Sequence, residues 1–292
     1  MVDADQASPC DHQGAAEQPG AVAAIVDVKA GQAAGGWDQP VSLSFGMTPP
    51  AGKSSNPVPP AIRRSGLHQQ LTAPLPEQPE LVLVTDLDGT LLGGTLEQRR
   101  SFYGWLARER HRVLHVFCTG RDLASVDRLL LQDEALGLRA PHLVIGDVGC
   151  TVACGASLLP LPLAVDPIER RWAGKQQPVL ALLAGAKGLS PQPISADRRL
   201  AYTYNPASFD HSLVAAIEQH GVDCLLSDNQ YLDVLPAGVN KGSTLLAVLG
   251  LLELAPDRVV TAGDSLNDLA MFETGLAGVM VGNAEPALRA AL

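Results

Sequence analysis

Two aspartates stand directly after a run of apolar residues, and their spacing is suited to chemistry. The run Leu81–Thr85 is short and rich in β-branched residues, which is typical of a buried parallel strand. Asp86 and Asp88 follow it two positions apart, and residues i and i+2 of an extended segment point the same way. Two neighbouring carboxylates repel each other unless a cation or a shared proton compensates. The pair therefore indicates a metal site or an acid/base pair, and an acidic turn that closes the strand is the structural alternative.

Three more polar segments lie where predicted strands end or where a predicted helix begins. They are Thr119-Gly120-Arg121 after the apolar run Val113–Cys118, Lys241 at a helix start, and Gly263–Asp268 after the apolar run Val259–Thr261. Each segment alone has a structural explanation as a turn, a solvated charge or a helix cap. Because open α/β sheets bind ligands beyond the carboxyl ends of their strands, we expect the four segments to form one site.

Phosphoryl transfer is the chemistry that these residue types fit. The negative oxygens of a phosphate ester repel nucleophiles, so catalysis needs a positioned nucleophile, a metal and fixed hydrogen-bond donors. Asp86 and Asp264 offer hard carboxylate oxygens, which Mg²⁺ prefers. Lys241 supplies a point cation, and the Thr119 hydroxyl with its neighbouring backbone N–H groups supplies donors. Asp88 can protonate the leaving oxygen and later deprotonate a water.

The elements that must position these residues divide the chain into three parts. Residues 1–78 are rich in Ala, Gly, Pro, Gln and Ser, a composition that predicts a disordered tail or linker. Residues 79–157 and 237–292 alternate strand and helix patterns, which predicts an α/β core with a parallel, doubly wound sheet. Residues 158–236 interrupt that rhythm and predict an inserted α+β cap, which can exclude water and select substrate.

Polar residues of the cap are candidates for contacts with a substrate. They are Tyr202, Tyr204, Asn205, Asp228, Asn229 and Tyr231. Each has a purely structural role within the cap as its alternative.

Composition excludes some classes of function. The 292 residues include 21 Lys and Arg against 31 Asp and Glu, a net charge of −10. Nucleic-acid binding needs a basic face, so we expect no nucleic-acid partner. The five cysteines are irregularly spaced and complete no zinc site, which favours free thiols in a reducing cytosol. We also find no signal-peptide pattern and no apolar run of about 18 residues, so we expect no membrane span and a cytoplasmic location.

The four segments resemble the motifs of the haloacid dehalogenase-like (HAD) superfamily of aspartate-nucleophile phosphatases. DLDGT at Asp86–Thr90 is similar to its first motif, Thr119 to the second, Lys241 to the third and GDSLND at Gly263–Asp268 to the fourth. The resemblance implies a HAD-like Rossmannoid parallel sheet. The place and the α+β character of the insertion resemble a cap of the C2b type.

Three longer segments narrow the resemblance to the sucrose-phosphate phosphatase family. They are CTGR at 118–121, PHLVIGDVGCTV at 141–152 and MFETGLAGVMVGNAEPAL at 271–288. This resemblance runs from about Leu81 to the end of the chain and implies Mg²⁺-dependent hydrolysis of a sugar phosphate monoester through an aspartyl-phosphate. Members of the family usually continue with another strand and helix, so we expect the core to be truncated at its C-terminus.

The resemblance also implies a role for each site residue. Asp86 would be the nucleophile, Asp88 the general acid/base, and Asp264 a metal ligand. The implied metal-binding set is Asp86, Asp88 (through its backbone carbonyl), Asp264 and Asp268, and the implied phosphate- or substrate-binding set is Thr119, Gly120, Arg121 and Lys241. Asp268 would hold a metal-bound water or orient Lys241, and a plain surface charge is the alternative for Arg121.

Two other readings of the same motifs remain open. One is a phosphomutase of the phosphomannomutase kind, which shares the cap type and the paired aspartates. The other is a non-catalytic regulatory domain, related to the domain fused to sucrose-phosphate synthases. The second reading makes a glycosyltransferase, such as a synthase, a candidate partner beside the small sugar phosphate.

Overall fold

The computed structural model describes residues 66–195 and 197–292, and within them ten strands form two sheets. The strands are β1 Leu81–Thr85, β2 Val113–Cys118, β3 Leu143–Gly146, β4 Thr151–Cys154, β5 Leu189–Pro191, β6 Leu200–Tyr204, β7 Val222–Ser227, β8 Tyr231–Pro236, β9 Val259–Gly263 and β10 Ala277–Met280. The named helices are α1 Leu96–Arg108, α2 Leu123–Gln132, α3 Pro162–Trp172, α4 Gln176–Leu183, α5 Ser212–Glu218, α6 Lys241–Leu252, α7 Leu269–Phe272 and α8 Pro286–Ala291.

The larger sheet has six strands in the order β10-β9-β1-β2-β3-β4. All neighbours pair in parallel except β3 and β4, which are antiparallel. The strands are apolar and largely buried; β2 is buried along its whole length. Such continuous apolar runs are what a parallel sheet covered on both faces requires. The predicted α/β sheet is therefore present, and its antiparallel edge strand is the feature that the sequence pattern did not predict.

A tight turn explains why β4 was missed. The chain reverses over Asp147–Gly149, where Asp147 and Val148 take φ angles of 53° and 56°. A β-branched residue such as Val148 rarely adopts this left-handed conformation. No turn signal other than the two flanking glycines marks the reversal, and β4 is only four residues long.

The smaller sheet belongs to the predicted cap region and has the order β5-β6-β8-β7, all antiparallel. Strands β7 and β8 form a hairpin whose turn places Asp228 and Asn229 in the left-handed region, at φ 55° and 49°. Asn and Asp tolerate that region better than other non-glycine residues. The apolar side of this sheet packs against α4 and α5, and Trp172 at the end of α3 joins that cluster.

Part of the predicted tail is packed against the core. Residues 66–70 are helical, and Leu67 and Leu75 are buried in the cluster that lies under the large sheet. The prediction of a disordered tail through residue 78 is therefore wrong for residues 66–78, because two leucines in a polar segment suffice to anchor it. Residues 1–65 of the predicted tail lie outside the described residues.

None of the helices in the described part of the chain is both long enough and apolar enough to cross a membrane.

Candidate active site

The side chain of Lys241 lies at the centre of the site and is wholly buried. Its Nζ donates hydrogen bonds to Asp86 Oδ1 at 2.7 Å, Asp268 Oδ1 at 2.6 Å and Asn267 Oδ1 at 2.6 Å. Lys241 is the first residue of α6, and Asn240 caps that helix by accepting a hydrogen bond from the Ser243 N–H. A helix start fixed in this way brings the ammonium to the carboxyl ends of β1 and β9.

Asp268 is held through both carboxylate oxygens. Oδ1 accepts from Lys241, and Oδ2 accepts from the backbone N–H groups of Asp264 at 2.9 Å and Ser265 at 3.1 Å. Asp264 in turn accepts the Thr90 hydroxyl at 2.7 Å. These bonds tie the loop after β9 to the loop after β1, so the first and fourth sequence motifs share one network.

This network buries more carboxylic acids than cations. Burial raises the pKa of Asp86 to about 8, and the charges of Asp268 and Asp264 add to the rise while Lys241 opposes it. Burial likewise raises the pKa of Asp264 to about 6. Burial alone would lower the pKa of Lys241, but Asp268 and Asp86 outweigh it and the pKa is raised, so the ammonium stays charged.

The carboxylates fit a divalent cation. One oxygen from each of Asp86, Asp264 and Asp268 lies within 4.8 Å of the others. Three carboxylates against one ammonium leave net negative charge in a buried place, and hard oxygen ligands suit Mg²⁺. Gly89, at φ 79°, presses the backbone after Asp88 against Asp264; a Cβ there would lie 2.1 Å from Asp264 Oδ2. The peptide that joins Asp88 to Gly89 therefore lies beside the Asp264 carboxylate.

The two aspartates of the first motif have different surroundings, although both line the same cavity. Asp86 is buried against Lys241, whereas the Asp88 side chain is 60% exposed and pairs with Arg121. Arg121 Nε and Nη2 donate to the two Asp88 oxygens at 2.7 and 2.6 Å. Both aspartates thus lie at the cavity after β1, as their spacing predicts, but they contact different cations there.

The second motif reaches the cavity in part. Gly120 and Arg121 line it, whereas Thr119 is buried behind them. The Thr119 N–H donates to Ile145 O at 2.8 Å, and its hydroxyl accepts from the Arg121 N–H at 3.1 Å. The structure thus brings all eight predicted site residues to one sheet edge. Five of them line the cavity, and Thr119, Lys241 and Asp268 are buried next to it.

The cavity has a volume of about 550 Å³ and lies between the large sheet and the cap. Its cap wall is polar and includes Gln192, Arg199, Ser227, Asp228, Tyr231 and Asp233. Of the six cap residues predicted to contact substrate, Asp228 and Tyr231 line this wall. Tyr202 and Tyr204 instead pack in the apolar cluster of the cap, which is the structural alternative for them.

Sequence reasoning missed a buried charged cluster at the same cavity. Arg199, just before β6, donates from Nε to Asp147 Oδ1 at 3.1 Å and from Nη2 to Gly120 O at 3.1 Å. Its Nη1 donates to Asp233 on β8. One signal was available: Asp147 follows β3 in Gly146–Gly149, at the same sheet edge as the other motifs. The pairing with Arg199 had no signal in the sequence.

Comparison with known proteins agrees with this geometry. The family model of sucrose-6F-phosphate phosphohydrolase matches residues 79–292. A glucosylglycerol-phosphate synthase of Pseudomonas anguilliseptica is 41% identical over 209 residues, which cover 71% of this chain and 27% of that protein. A probable sucrose-phosphatase 3a of Arabidopsis thaliana is 28% identical over 225 residues, covering 72% of this chain and 52% of that protein. The chain thus spans about a quarter and about half of the lengths of these relatives.

A solved structure shows the same fold. The sucrose-phosphatase of Synechocystis sp. PCC6803, determined in complex with sucrose and phosphate, has a TM-score of 0.65 at 24% identity, covering 73% of this chain and 87% of that chain. Because the family model covers most of the chain and the fold agrees with it, the chain belongs to the sucrose-6F-phosphate phosphohydrolase family.

Proposed function

We propose that this chain is a Mg²⁺-dependent phosphatase that hydrolyses a sugar phosphate monoester through an aspartyl-phosphate on Asp86. The observation that carries the proposal is the buried network of Lys241, Asp86 and Asp268, which opens onto a cavity with a polar cap wall. Membership of the family supports the same reaction class.

Asp86 and Asp264 would hold the metal together with the Asp88 backbone carbonyl, and Asp268 would act by orienting Lys241 or through a bound water. When bound, Mg²⁺ offsets the negative charge of the carboxylates and of the phosphate that approaches them.

The chain's own residues divide the remaining work. Lys241 holds one oxygen of Asp86, so the carboxylate stays oriented where it lines the cavity and can attack phosphorus. The ester oxygen then leaves with a proton from Asp88, and Asp88 takes a proton from the water that cleaves the aspartyl-phosphate. For this exchange Asp88 must leave Arg121, and its exposure at the cavity wall leaves it free to do so. Gly120 and Arg121 on the cavity wall would contact the phosphate oxygens, and Thr119 and Lys241, buried next to the cavity, would complete the phosphate site.

The substrate would be a disaccharide phosphate or another glycosyl phosphate. A cavity of about 550 Å³ is large enough for such a molecule, and hydroxyl, amide and carboxylate side chains on the cap wall match sugar hydroxyls. The names of the two relatives point to glucosylglycerol phosphate and to sucrose phosphate as the esters to try first.

A glycosyltransferase that makes the phosphate ester is the partner we propose, since the Pseudomonas relative is named a synthase and is much longer than the matched region. A cytoplasmic location belongs to the same proposal. It is supported by the free thiols of Cys118, Cys150, Cys154 and Cys224, which suit a reducing compartment.

The test is phosphate release from sucrose 6F-phosphate, glucosylglycerol phosphate, mannosylfructose phosphate and mannose 6-phosphate, with Mg²⁺ or with EDTA. We expect Asp86→Asn to lower kcat by roughly 10⁴-fold or more, because it removes the nucleophile. Asp127→Asn, on the exposed face of α2, is the matched control. Equal release by the wild type and Asp86→Asn would show the mechanism to be wrong.

The same assay separates the other two readings. Release of free phosphate with no bisphosphate activator excludes a phosphomutase. A well-folded sample that turns over no ester favours the regulatory domain.

A further inference from the structure

Arg199 is a buried arginine at the boundary between the core and the cap. Its guanidinium donates hydrogen bonds in three directions, to Asp233 of the cap, to Asp147 of the core and to the Gly120 carbonyl. Asp233 lies on β8, where it pairs with Ala201 of β6, and Arg199 is two residues before Ala201. One side chain therefore connects two strands of the cap sheet to two loops of the core.

The two core loops that Arg199 contacts are also bonded to each other. The N–H groups of Asp147 and Val148 donate to Arg121 O at 2.9 Å and Thr119 O at 3.1 Å. The turn that begins at Asp147 therefore supports the loop of the second motif, whose Gly120 carbonyl accepts from Arg199.

The turn at Asp147–Gly149 also packs against Asn240, the residue that precedes Lys241. Gly149 packs so closely on Asn240 that a Cβ on the glycine would lie 2.4 Å from the Asn240 carbonyl carbon. The Gly149 carbonyl accepts the Thr244 hydroxyl at 2.8 Å. A displacement of Arg199 would thus shift both the second-motif loop and the N-terminal end of α6.

The charge arrangement requires an arginine. Asp147 is held on its other oxygen by the Thr151 hydroxyl at 2.7 Å, so it is fixed from two sides. A planar guanidinium satisfies three acceptors at set angles, and a lysine ammonium does not reproduce this geometry. Buried ion pairs are often no more stabilising than apolar residues of the same volume, so the presence of this cluster is weak evidence for a role in stability alone.

We propose that Arg199 is a positioning residue that couples contact between the substrate's sugar and the cap to the placement of the phosphate-binding loop and Lys241. The proposal rests on the proposed function, because it assumes that the cap wall binds the sugar. Arg199 and Asp233 line the cavity beside Asp228 and Tyr231. A sugar bound there would therefore contact Arg199 and Asp233 directly. Binding energy from the part of the substrate that does not react would then raise kcat at the phosphate.

The test compares two substrates, the sugar phosphate that the screen identifies and p-nitrophenyl phosphate, which has no sugar. We expect Arg199→Gln to lower the ratio of kcat for the sugar phosphate to kcat for p-nitrophenyl phosphate by roughly 100-fold, with a smaller change in KM, since small misplacements at a reacting centre cost about that much. Equal losses with both esters would assign Arg199 a structural role only and overturn the proposal.

Two further variants secure this comparison. Arg170→Gln is the matched control, since Arg170 is an exposed arginine on α3 and does not contact the cluster; we expect it to keep the ratio. Arg199→Gln leaves the carboxylates of Asp147 and Asp233 buried without their cation, which destabilises the folded protein. The double variant Arg199→Gln/Asp147→Asn keeps the net charge of the cluster and should show the same loss in the ratio.

Hydrogen exchange gives a readout that does not depend on turnover. We expect amides of residues 119–121 and 147–149 to exchange faster in Arg199→Gln than in Arg170→Gln. Unchanged exchange in these loops would overturn the proposal. If the wild type hydrolyses no ester while exchange does respond, the connection between cap and loop stands and the proposed function fails.

Discussion

The core edge of the cavity around Lys241 and the hairpin end of the cap wall, at Asp228 and Tyr231, are built in opposite ways. At the core edge Lys241 is wholly buried and bonded to three acceptors, and Asp268 uses both of its oxygens. On the cap wall Asp228 is exposed on a hairpin turn, and Tyr231 is half-buried beside it. Charges fixed before the substrate arrives stabilise developing charge well, because no reorganisation is needed at the moment of reaction. Under the proposed function, the contrast assigns the chemistry to the core edge and the choice of substrate to the cap.

Lys241→Met tests the buried side of this contrast and should have the largest effect. It leaves Asp86 and Asp268 buried without their cation, and removing one partner of a buried pair costs about 3–5 kcal/mol. We expect the free energy of unfolding in urea to fall by that amount and phosphate release to be lost. Lys187→Met, at an exposed site of the cap, is the control. A folded and active Lys241→Met protein would contradict the idea that the core edge is fixed by this network.

The sequence was most informative where one strand alone positions a residue. Asp86 and Asp264 lie where predicted, because apolar runs define β1 and β9 and the polar residue follows each run. The approach of Asp264 to Asp86, within 4.8 Å, also follows from parallel strands ending at one edge.

Contacts between distant segments were beyond that reasoning. Asp147 and Arg199 are 52 residues apart in the chain, and Arg121 and Asp88 are 33 apart. The turns beside these residues, at Val148 and at Gly89, take conformations that local patterns do not specify. Tyr202 and Tyr204 show the same limit in the cap, since an alternating strand pattern does not tell which face meets the helices.

Changes of pH and of Mg²⁺ concentration test whether the core edge buries more acids than cations. We expect an effect on stability of intermediate size. Burial holds the pKa of Asp86 at about 8, above its ordinary value of 3.8. Between these values the folded metal-free protein keeps a proton that the unfolded chain has released, so its stability falls as pH rises towards 8. Asp264, with a pKa of about 6, acts in the same direction over a narrower range. Mg²⁺ must displace these protons, so it should bind more tightly at the higher pH.

We therefore expect the Tm in EDTA to fall between pH 6 and pH 8, and the rise in Tm on adding Mg²⁺ to be larger at pH 8. At a Mg²⁺ concentration of about 100 times Kd the stabilisation is about 2.7 kcal/mol. Asp264→Asn should remove most of the Mg²⁺ effect. Glu285 has a pKa of about 7, raised by burial and by Asp228, so the series is repeated in Glu285→Gln to separate its contribution. A Tm in EDTA that rises between pH 6 and pH 8 would show that the core edge does not bury an excess of acids over cations.

Tyr231→Phe tests the adaptable side of the contrast and should have the smallest effect. The change removes one hydroxyl from the cavity wall and leaves the ring in place. Loss of one hydrogen bond to a neutral partner costs about 1 kcal/mol, so kcat/KM for the sugar phosphate should fall about fivefold. The value for p-nitrophenyl phosphate should stay constant, because that ester presents no sugar to the cap. Tyr204→Phe is the control, since Tyr204 packs inside the cap away from the cavity. If Tyr231→Phe lowered both values equally, the cap wall would be acting on the phosphate chemistry itself, and the division of work between core and cap would not hold.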